Sequence, residues 1–308
     1  MAPKDEVVTV EGHPVRFTHP DKVVCPATGT TKQDVMSYYL RIAPWLAPQS
    51  AWRPATRKRW VGGVGTEDKP GKVFFRKDLE AGAPKWLPIG RVEHRNKVNT
   101  YPLVNNAAVL AWFTQVGALE IHVPQWRFDA AGNPCNPDRI VIDLDPGPGA
   151  GLADCAEVAF EVRDLLAARG LATYPVTSGS KGIHLYAPLS GATTGEEANV
   201  LAHETALTLE EARPHQVVSV QRKSDREGKV LLDWSQNSPA KTTVCPYSLR
   251  GKVLPTVAAP RTWEEIAEPG LSQLTYEQVL ERAEGGLNPI ANLGWDRAEP
   301  PLSPENWY

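Results

Sequence analysis

Apolar residues recur along this chain with two spacings, and the segments they define alternate. Arg139–Asp145, Arg-Ile-Val-Ile-Asp-Leu-Asp, is an apolar run closed by Pro-Gly-Pro-Gly and reads as a strand. Val158, Val162, Leu165 and Leu166 recur at helical spacing and predict a helix over about 153–169. Strands follow at 172–177 and 183–188, a helix at about 195–213, and strands at 216–222 and 229–233. Upstream, Thr30-Thr31-Lys32-Gln33-Asp34 carries the hydroxyl cap and first-turn acid of a helix start. Val35, Tyr38, Tyr39, Ile42 and Leu46 form that helix's face, and Pro44 or Pro48 predicts its end. Residues 53–60 and 72–77 read as strands or strand-edge loops around a Gly-rich loop at 62–71. Residues 105–119 read as a buried helix and Glu120–Val123 as a short strand. The Pro-rich remainder holds short helices at Trp263–Ala267 and Tyr276–Ala283. Such alternation predicts an α/β or α+β domain. It forms one unit with approximate segments 1–135, 136–255 and 256–308, without internal repeats or a low-complexity linker.

Composition narrows the class. At 308 residues, 42% hydrophobic and 22% charged, the chain has the make-up of a soluble globular protein with a large core. No apolar run approaches the ~20 residues that span a bilayer, so no membrane partner is expected. The N-terminus lacks the apolar stretch of a signal peptide, which points to the cytoplasm. Cys25, Cys135, Cys155 and Cys245 lie far apart, against both a zinc site and a disulfide framework. A net charge of −3 does not announce a nucleic-acid binder. Charge is uneven, however: Arg53, Arg57, Lys58 and Arg59 crowd one stretch, and Arg76-Lys77 follows Phe74-Phe75.

Three segments carry chemistry. Asp143 and Asp145 stand two residues apart on a strand and share a face, at the carboxyl end where an open α/β sheet places its ligands. Carboxylates so close repel unless a cation or proton lies between them, and all-oxygen ligands suit Mg2+ or Mn2+. A strand end turning into solvent fits the same fragment. Thr177-Ser-Gly-Ser-Lys-Gly-Ile-His184 sets glycines, Ser178, Ser180 and Lys181 at a strand-to-strand turn. Backbone N–H groups in such a turn can approach a phosphate closely, with His184 in reach. The spacing is not that of a Walker A loop, and an ordinary Gly-Ser turn is the competing reading. Lys229-Val-Leu-Leu-Asp233 ends in a third acid, as two-metal phosphoryl or nucleotidyl transfer requires; an Asp that merely caps its own turn is the alternative. Arg226 and Arg250 are cation candidates for a polyphosphate, although lone arginines usually lie on the surface. His122 fits either a core or a site role. Phe74-Phe75 beside cations suits template binding, with strand alternation exposing one ring.

Taken together, Asp143-Leu-Asp145-Pro-Gly, Ser178-Gly-Ser-Lys-Gly-Ile-His184 and Asp233-Trp-Ser-Gln-Asn237 resemble the three motifs of the archaeo-eukaryotic primase superfamily. With Asp21–Lys32, Arg53–Trp60, His122–Phe128 and Pro246–Gly251, the chain is more closely similar to the polymerase domain of bacterial ATP-dependent DNA ligase D, from about residue 6 to 285. The resemblance implies a primase-type catalytic core: an RRM-like mixed sheet beside a second α/β module, with the active site in the cleft between. It implies template-dependent nucleotide addition, often with ribonucleotides, at DNA ends or short gaps in double-strand break repair by non-homologous end joining. Asp143, Asp145 and Asp233 would hold two Mn2+ or Mg2+ ions. Ser178, Lys181, His184 and Arg250 would grip the nucleoside triphosphate, with His122 near its sugar. Lys22 and Lys32 would hold a DNA 5′-phosphate, and Phe74 or Phe75 would stack on the template. Arg57, Lys58 and Arg59 would meet DNA, and Arg226 would ride a mobile loop. Ku and an ATP-dependent DNA ligase are the implied partners, at the nucleoid.

Some residues depart from the family pattern. His19 replaces a frequent Asn of the phosphate pocket, and Arg76 follows the Phe pair where an acidic or neutral residue is expected. No ligase or phosphoesterase segment follows, which fits an excised domain or a stand-alone polymerase of gap filling or priming. A metal-dependent nuclease would not need the 178–184 turn or Arg250. A non-enzymatic module bridging DNA ends would not need the three acids. A glycosyltransferase would leave the cation clusters unexplained.

Overall fold

The computed structural model describes residues 6–94 and 96–293. The ends of the expected first and last segments, 1–5 and 294–308, lie outside the described residues. The chain begins with a hairpin, β1 (Glu6–Val10) and β2 (His13–Phe17). Its turn is made by Glu11 (φ 48°) and Gly12 (φ 81°). A short pair, β3 (Val23–Cys25) and β4 (Thr30–Thr31), leads into α1 (Lys32–Ser50). The Thr31 hydroxyl accepts from Asp34 N–H, and the Asp34 carboxylate accepts from Thr31 N–H, a capping box at the expected start.

The helix does not stop at its prolines; it runs through Pro44 and Pro48 to Ser50. An interior proline costs about 3 kcal/mol. Against that, Tyr38, Tyr39, Ile42 and Leu46 are all at most 1% exposed, and each fully buried large side chain contributes roughly 1.5–3 kcal/mol. Packing outweighs propensity here.

Next come β5 (Thr56–Arg59), β6 (Phe74–Arg76), the hairpin β7 (Ile89–His94) and β8 (Lys97–Pro102), α2 (Ala107–Gln115) and β9 (Ala118–Val123). Helix α2 is shorter than the apolar run predicts because Gly117, at φ 76°, turns the chain into β9. Glu11 reaches back to α2, its Oε2 accepting from Ala107 N–H (2.9 Å) at the helix N-terminus. The second half supplies β10 (Arg139–Pro146), α3 (Leu152–Ala167), β11 (Tyr174–Thr177), β12 (Ile183–Pro188) and α4 (Gly195–Ala212). It continues with β13 (Val217–Val218), β14 (Val230–Asp233), β15 (Thr243–Val244), β16 (Ala259–Pro260), α5 (Trp263–Ala267) and α6 (Tyr276–Glu284).

Two sheets face each other. The larger has the order β13-β14-β10-β12-β11-β16 and is antiparallel except for β13–β14. The smaller has the order β15-β9-β5-β6. Ile140, Ile142 and Leu144 of β10 join one apolar core with α3 and α4, whereas Val141 joins the other core, with α1 and α2. The odd positions of β10 therefore look toward the smaller sheet. The expected segment boundaries are crossed: β15 pairs with β9, and β16, beyond residue 255, pairs with β11. Arg139, 1% exposed, ties β10 to the first half through Gln125 (2.8 Å) and Gln49 (3.3 Å).

Because α1 depends on packing rather than propensity, Ile42→Ala is expected to lower the unfolding free energy by about 3 kcal/mol. Exposed Pro44→Ala, which restores an N–H opposite Leu40, is expected to raise it. Denaturant unfolding of both variants checks the pair.

Candidate active site

Register, not proximity in sequence, assembles the acids. Asp143 of β10 stands opposite His184 of β12 on one side and Asp233 of β14 on the other. Directly opposed residues share a face, so His184, Asp143 and Asp233 form one row across three strands, with Asp145 two residues along. The sheet here is antiparallel, so the rule that parallel sheets bind ligands at strand carboxyl ends does not place this site; the row does. Asp143 is 8% exposed, and its Oδ1 has no hydrogen-bond donor. His184 Nε2 lies 3.3 Å from that oxygen without hydrogen-bond alignment, and His184 Nδ1 is also unpartnered. Repulsion from Asp143, reinforced by burial, pushes the Asp145 carboxyl up to about 6.

Asp233 lies in this row by register and also caps its own turn, the competing reading of this acid: Oδ1 accepts from Ser235 N–H (3.0 Å) and Oδ2 from Gln236 Nε2 (2.8 Å). Four residues on, Asn237 accepts from Val141 N–H (2.8 Å) and donates to Val141 carbonyl (2.7 Å). Its amide replaces the strand neighbour that β10 lacks beyond the end of β14, a role not read from the sequence.

In the 178–184 turn, Ser178 Oγ accepts from Ser180 and Gly182 N–H (3.2 Å each), and Gln273 Oε1 accepts from Gly179 N–H (2.6 Å), so these three backbone donors have partners within the protein. Lys181 is exposed at the turn's tip. Arg250 reaches the turn from the other side, donating through a terminal nitrogen to Ser178 carbonyl. Gly179 is required, because a Cβ there would lie 2.6 Å from Arg250 Cγ and from Val257 backbone.

The smaller sheet supplies the facing wall. Alternation splits the basic stretch between two faces. Lys58 stands opposite both Phe75 and Glu120, and Thr56 opposite His122, so these residues share the cleft-facing side. Phe75 is 54% exposed and lies 6.1 Å, ring to ring, from His122; Phe74 is half-buried beside Lys72. Arg57 points the other way and is wholly buried, paired with Glu80 (3.0 Å) and stacked against Trp112 and Phe113. It belongs to the fold, which removes it from the expected DNA contacts. Arg59 shares that face and lines a cavity of about 310 Å3 with Lys22, Lys32 and His19.

Both lysines singled out for a 5′-phosphate thus meet in one cavity. Lys32 Nζ donates to Thr18 carbonyl (2.7 Å) and Gln115 Oε1 (2.6 Å). Burial, then Lys22, pulls its pKa down to about 8. Arg226 lies in the 219–229 loop, bonded to Gln221, where its carbonyl would clash with any Cβ on Gly147.

The sequence reading missed Glu120. It is 1% exposed; burial pushes its carboxyl up, but His122, Arg250 and Lys58 more than reverse this and keep it ionised. Its one signal was the i, i+2 spacing to His122. Burial holds the His122 imidazole below its ordinary value, against the opposite pull of Glu120.

Among the described residues, no three Asp, Glu, His or Cys side chains converge closely enough to enclose an ion. The orphaned Asp143 oxygen and the repulsion at Asp145 nevertheless fit a divalent cation with all-oxygen ligands. Among the described residues, no helix is long and apolar enough to cross a membrane.

One sheet thus carries a row of acids, and the other gathers Lys58 and Arg250 around Glu120. Residues 31–290 match the family described as LigD, primase-polymerase domain, and the chain belongs to that family. It is 52% identical over 282 residues to the multifunctional non-homologous end joining protein LigD of Mycolicibacterium smegmatis, covering 92% of this chain and 36% of that protein. With the bifunctional LigD of Bacillus subtilis it shares 32% identity over 297 residues, covering 94% and 46%. The chain thus spans about a third to a half of these relatives. Its fold matches the polymerase domain of Mycobacterium tuberculosis ligase D in complex with DNA, with TM-score 0.87 and 52% identity over 92% of this chain and 98% of that one.

Arg57→Ala should lower stability by about 3–5 kcal/mol, the cost of breaking a buried ion pair, in denaturant unfolding. DNA affinity of the folded fraction should stay unchanged.

Proposed function

We propose that this chain adds nucleotides to a primer at DNA ends or short gaps, in a template-dependent reaction serving end joining. The observation that carries this reading is the row His184–Asp143–Asp233 on one sheet, joined to Glu120 of the other sheet by Arg250, which bridges to the Ser178 turn before β12. In that reaction the primer 3′-oxygen bonds to the α-phosphorus of a nucleoside triphosphate, the bond to the β-phosphate oxygen breaks, and pyrophosphate leaves. Asp143 and Asp145 would hold Mn2+ or Mg2+, with Asp233 joining once it turns from Ser235 and Gln236. When bound, such ions lower the pKa of the attacking hydroxyl and stabilise charge developing on the phosphorus oxygens.

The side chains have separate tasks. Arg250, bridging to the Ser178 turn, and exposed Lys181 bind the triphosphate, with His184 beside Asp143. His122 lies at the sugar and supports a preference for ribonucleotides. Phe75 offers the exposed ring for template stacking, and Lys58 lies beside it. Lys22, Lys32, Arg59 and His19 form a separate cation-lined cavity suited to a downstream 5′-phosphate. The names of the relatives support end joining as the setting; in that setting Ku and an ATP-dependent DNA ligase would be the partners, at the nucleoid.

Asp143→Ala and Asp145→Ala are each expected to abolish primer extension in Mn2+ while DNA binding persists. Extension surviving in both, or products that only shorten with all nucleotides present, would overturn the reading. Lys22→Ala is expected to weaken binding of 5′-phosphorylated gaps about tenfold, the loss of one charged hydrogen bond, leaving unphosphorylated gaps unaffected. Lys32 carries its charge below about pH 8 and loses it above. Preference for the 5′-phosphate should therefore decline between pH 7 and 9, and Lys32→Arg should flatten that decline.

A further inference from the structure

Glu120 places a negative charge in the wall of a site that would receive a polyanion. That position is unfavourable twice over: a buried charge is costly unless paired, and a carboxylate repels nearby phosphates. The groups it gathers, however, are the ones the site would use. Oε2 accepts from His122 Nε2 (2.7 Å) and lies 3.0 Å from Lys58 Nζ. Oε1 accepts from Gly251 N–H (3.0 Å) and lies 3.3 Å from Arg250 Nε. The carboxylate thus joins β5, β9 and the 250–251 segment at one point. Lys252 lies near enough to feel this cluster and Lys181 as well, so the surroundings keep an excess of positive charge.

We propose that Glu120 is the positioning residue of the nucleotide subsite. It fixes Arg250 and Lys58 for phosphate, and it holds His122 in the tautomer that accepts from a ribose hydroxyl. This rests on reading the cleft as a nucleotide site. Arg250 spans from Glu120 to the Ser178 carbonyl, and its Nε has no aligned acceptor, so the carboxylate's charge is what orients that end. The His122 proton sits on Nε2, where the carboxylate accepts it, which leaves Nδ1 with a free lone pair. A 2′-hydroxyl can donate to that lone pair, and a deoxyribose has no such donor. Glutamine in place of Glu120 would turn an NH2 toward one pair of donors and favour the opposite His122 tautomer.

Steady-state extension of one primed template with a ribonucleotide or the matching deoxyribonucleotide tests this, alongside DNA affinity and the unfolding midpoint. Glu120→Gln is expected to raise the ribonucleotide KM about tenfold, the loss of one charge-assisted contact, with a smaller change in kcat. The ribo-to-deoxy ratio of kcat/KM is expected to fall toward one while DNA affinity holds. Glu120→Asp, which keeps the charge, is expected to raise KM but retain the ratio, and it carries the test if the Gln variant does not fold. Unchanged KM, or an equal fall in kcat for both sugars, would overturn the role of Glu120. A wild-type ratio of one would overturn the tautomer assignment. A wild-type chain that extends with neither nucleotide would instead overturn the nucleotide-site reading itself.

Discussion

Everything in this molecule that bears on chemistry depends on the two-residue alternation of β10 between two cores. Ile140, Ile142 and Leu144 are held against α3 and α4, so Arg139, Val141, Asp143 and Asp145 must look the other way. A slip of one residue would drive two carboxylates into an apolar layer and expose three large aliphatic side chains. The register is locked from both edges, by β12 along most of the strand and by β14, then by the Asn237 amide where β14 ends. Arg139 anchors the strand's start to the first half of the chain. The acids are therefore fixed by apolar packing behind them rather than by bonds in front.

Across the cleft the electrostatic signs reverse. One wall concentrates negative charge enough to push Asp145 up to about 6, chiefly through Asp143. The other gathers Arg250 and Lys58 around a single buried carboxylate. Each wall carries an imbalance, and a metal-bearing polyphosphate brings the complementary charge to both. Geometry agrees, because Arg250 spans from the Glu120 wall to the turn that precedes β12.

The alternating α/β plan, β10 with its two acids, the third acid and the helix starts were legible because each is carried by local spacing. What escaped was set by residues distant in sequence. Helix α1 ends two residues past Pro48, near where its prolines place it; that it runs through both was not legible, because proline propensity is local whereas the burial of Tyr38, Tyr39, Ile42 and Leu46 that overrides it is not. Glu120 looked like an ordinary polar strand position until Lys58 and Arg250 arrived from other segments. That the Gly179 N–H of the Ser178 turn is taken could not be read locally, because its acceptor, Gln273, lies 94 residues downstream. Arg57, Lys58 and Arg59 were taken as one basic block, although strand alternation sends them to opposite faces.

The N-terminal hairpin bears on where the smallest self-sufficient piece of this protein begins. The family model matches from residue 31, but the β1–β2 hairpin before it is integral. Glu11, held in a left-handed turn, completes the N-terminus of α2, while Val15 and Phe17 are buried in the same core as α1. Cutting the chain at residue 31 would take away the Glu11 acceptor of the Ala107 and Ala108 N–H groups and open an apolar hole beside α1. A boundary placed at the family-model match alone would thus remove a stretch against which the remainder packs, whereas the likeness to the LigD relatives, covering 92–94% of the chain, takes in part of that stretch.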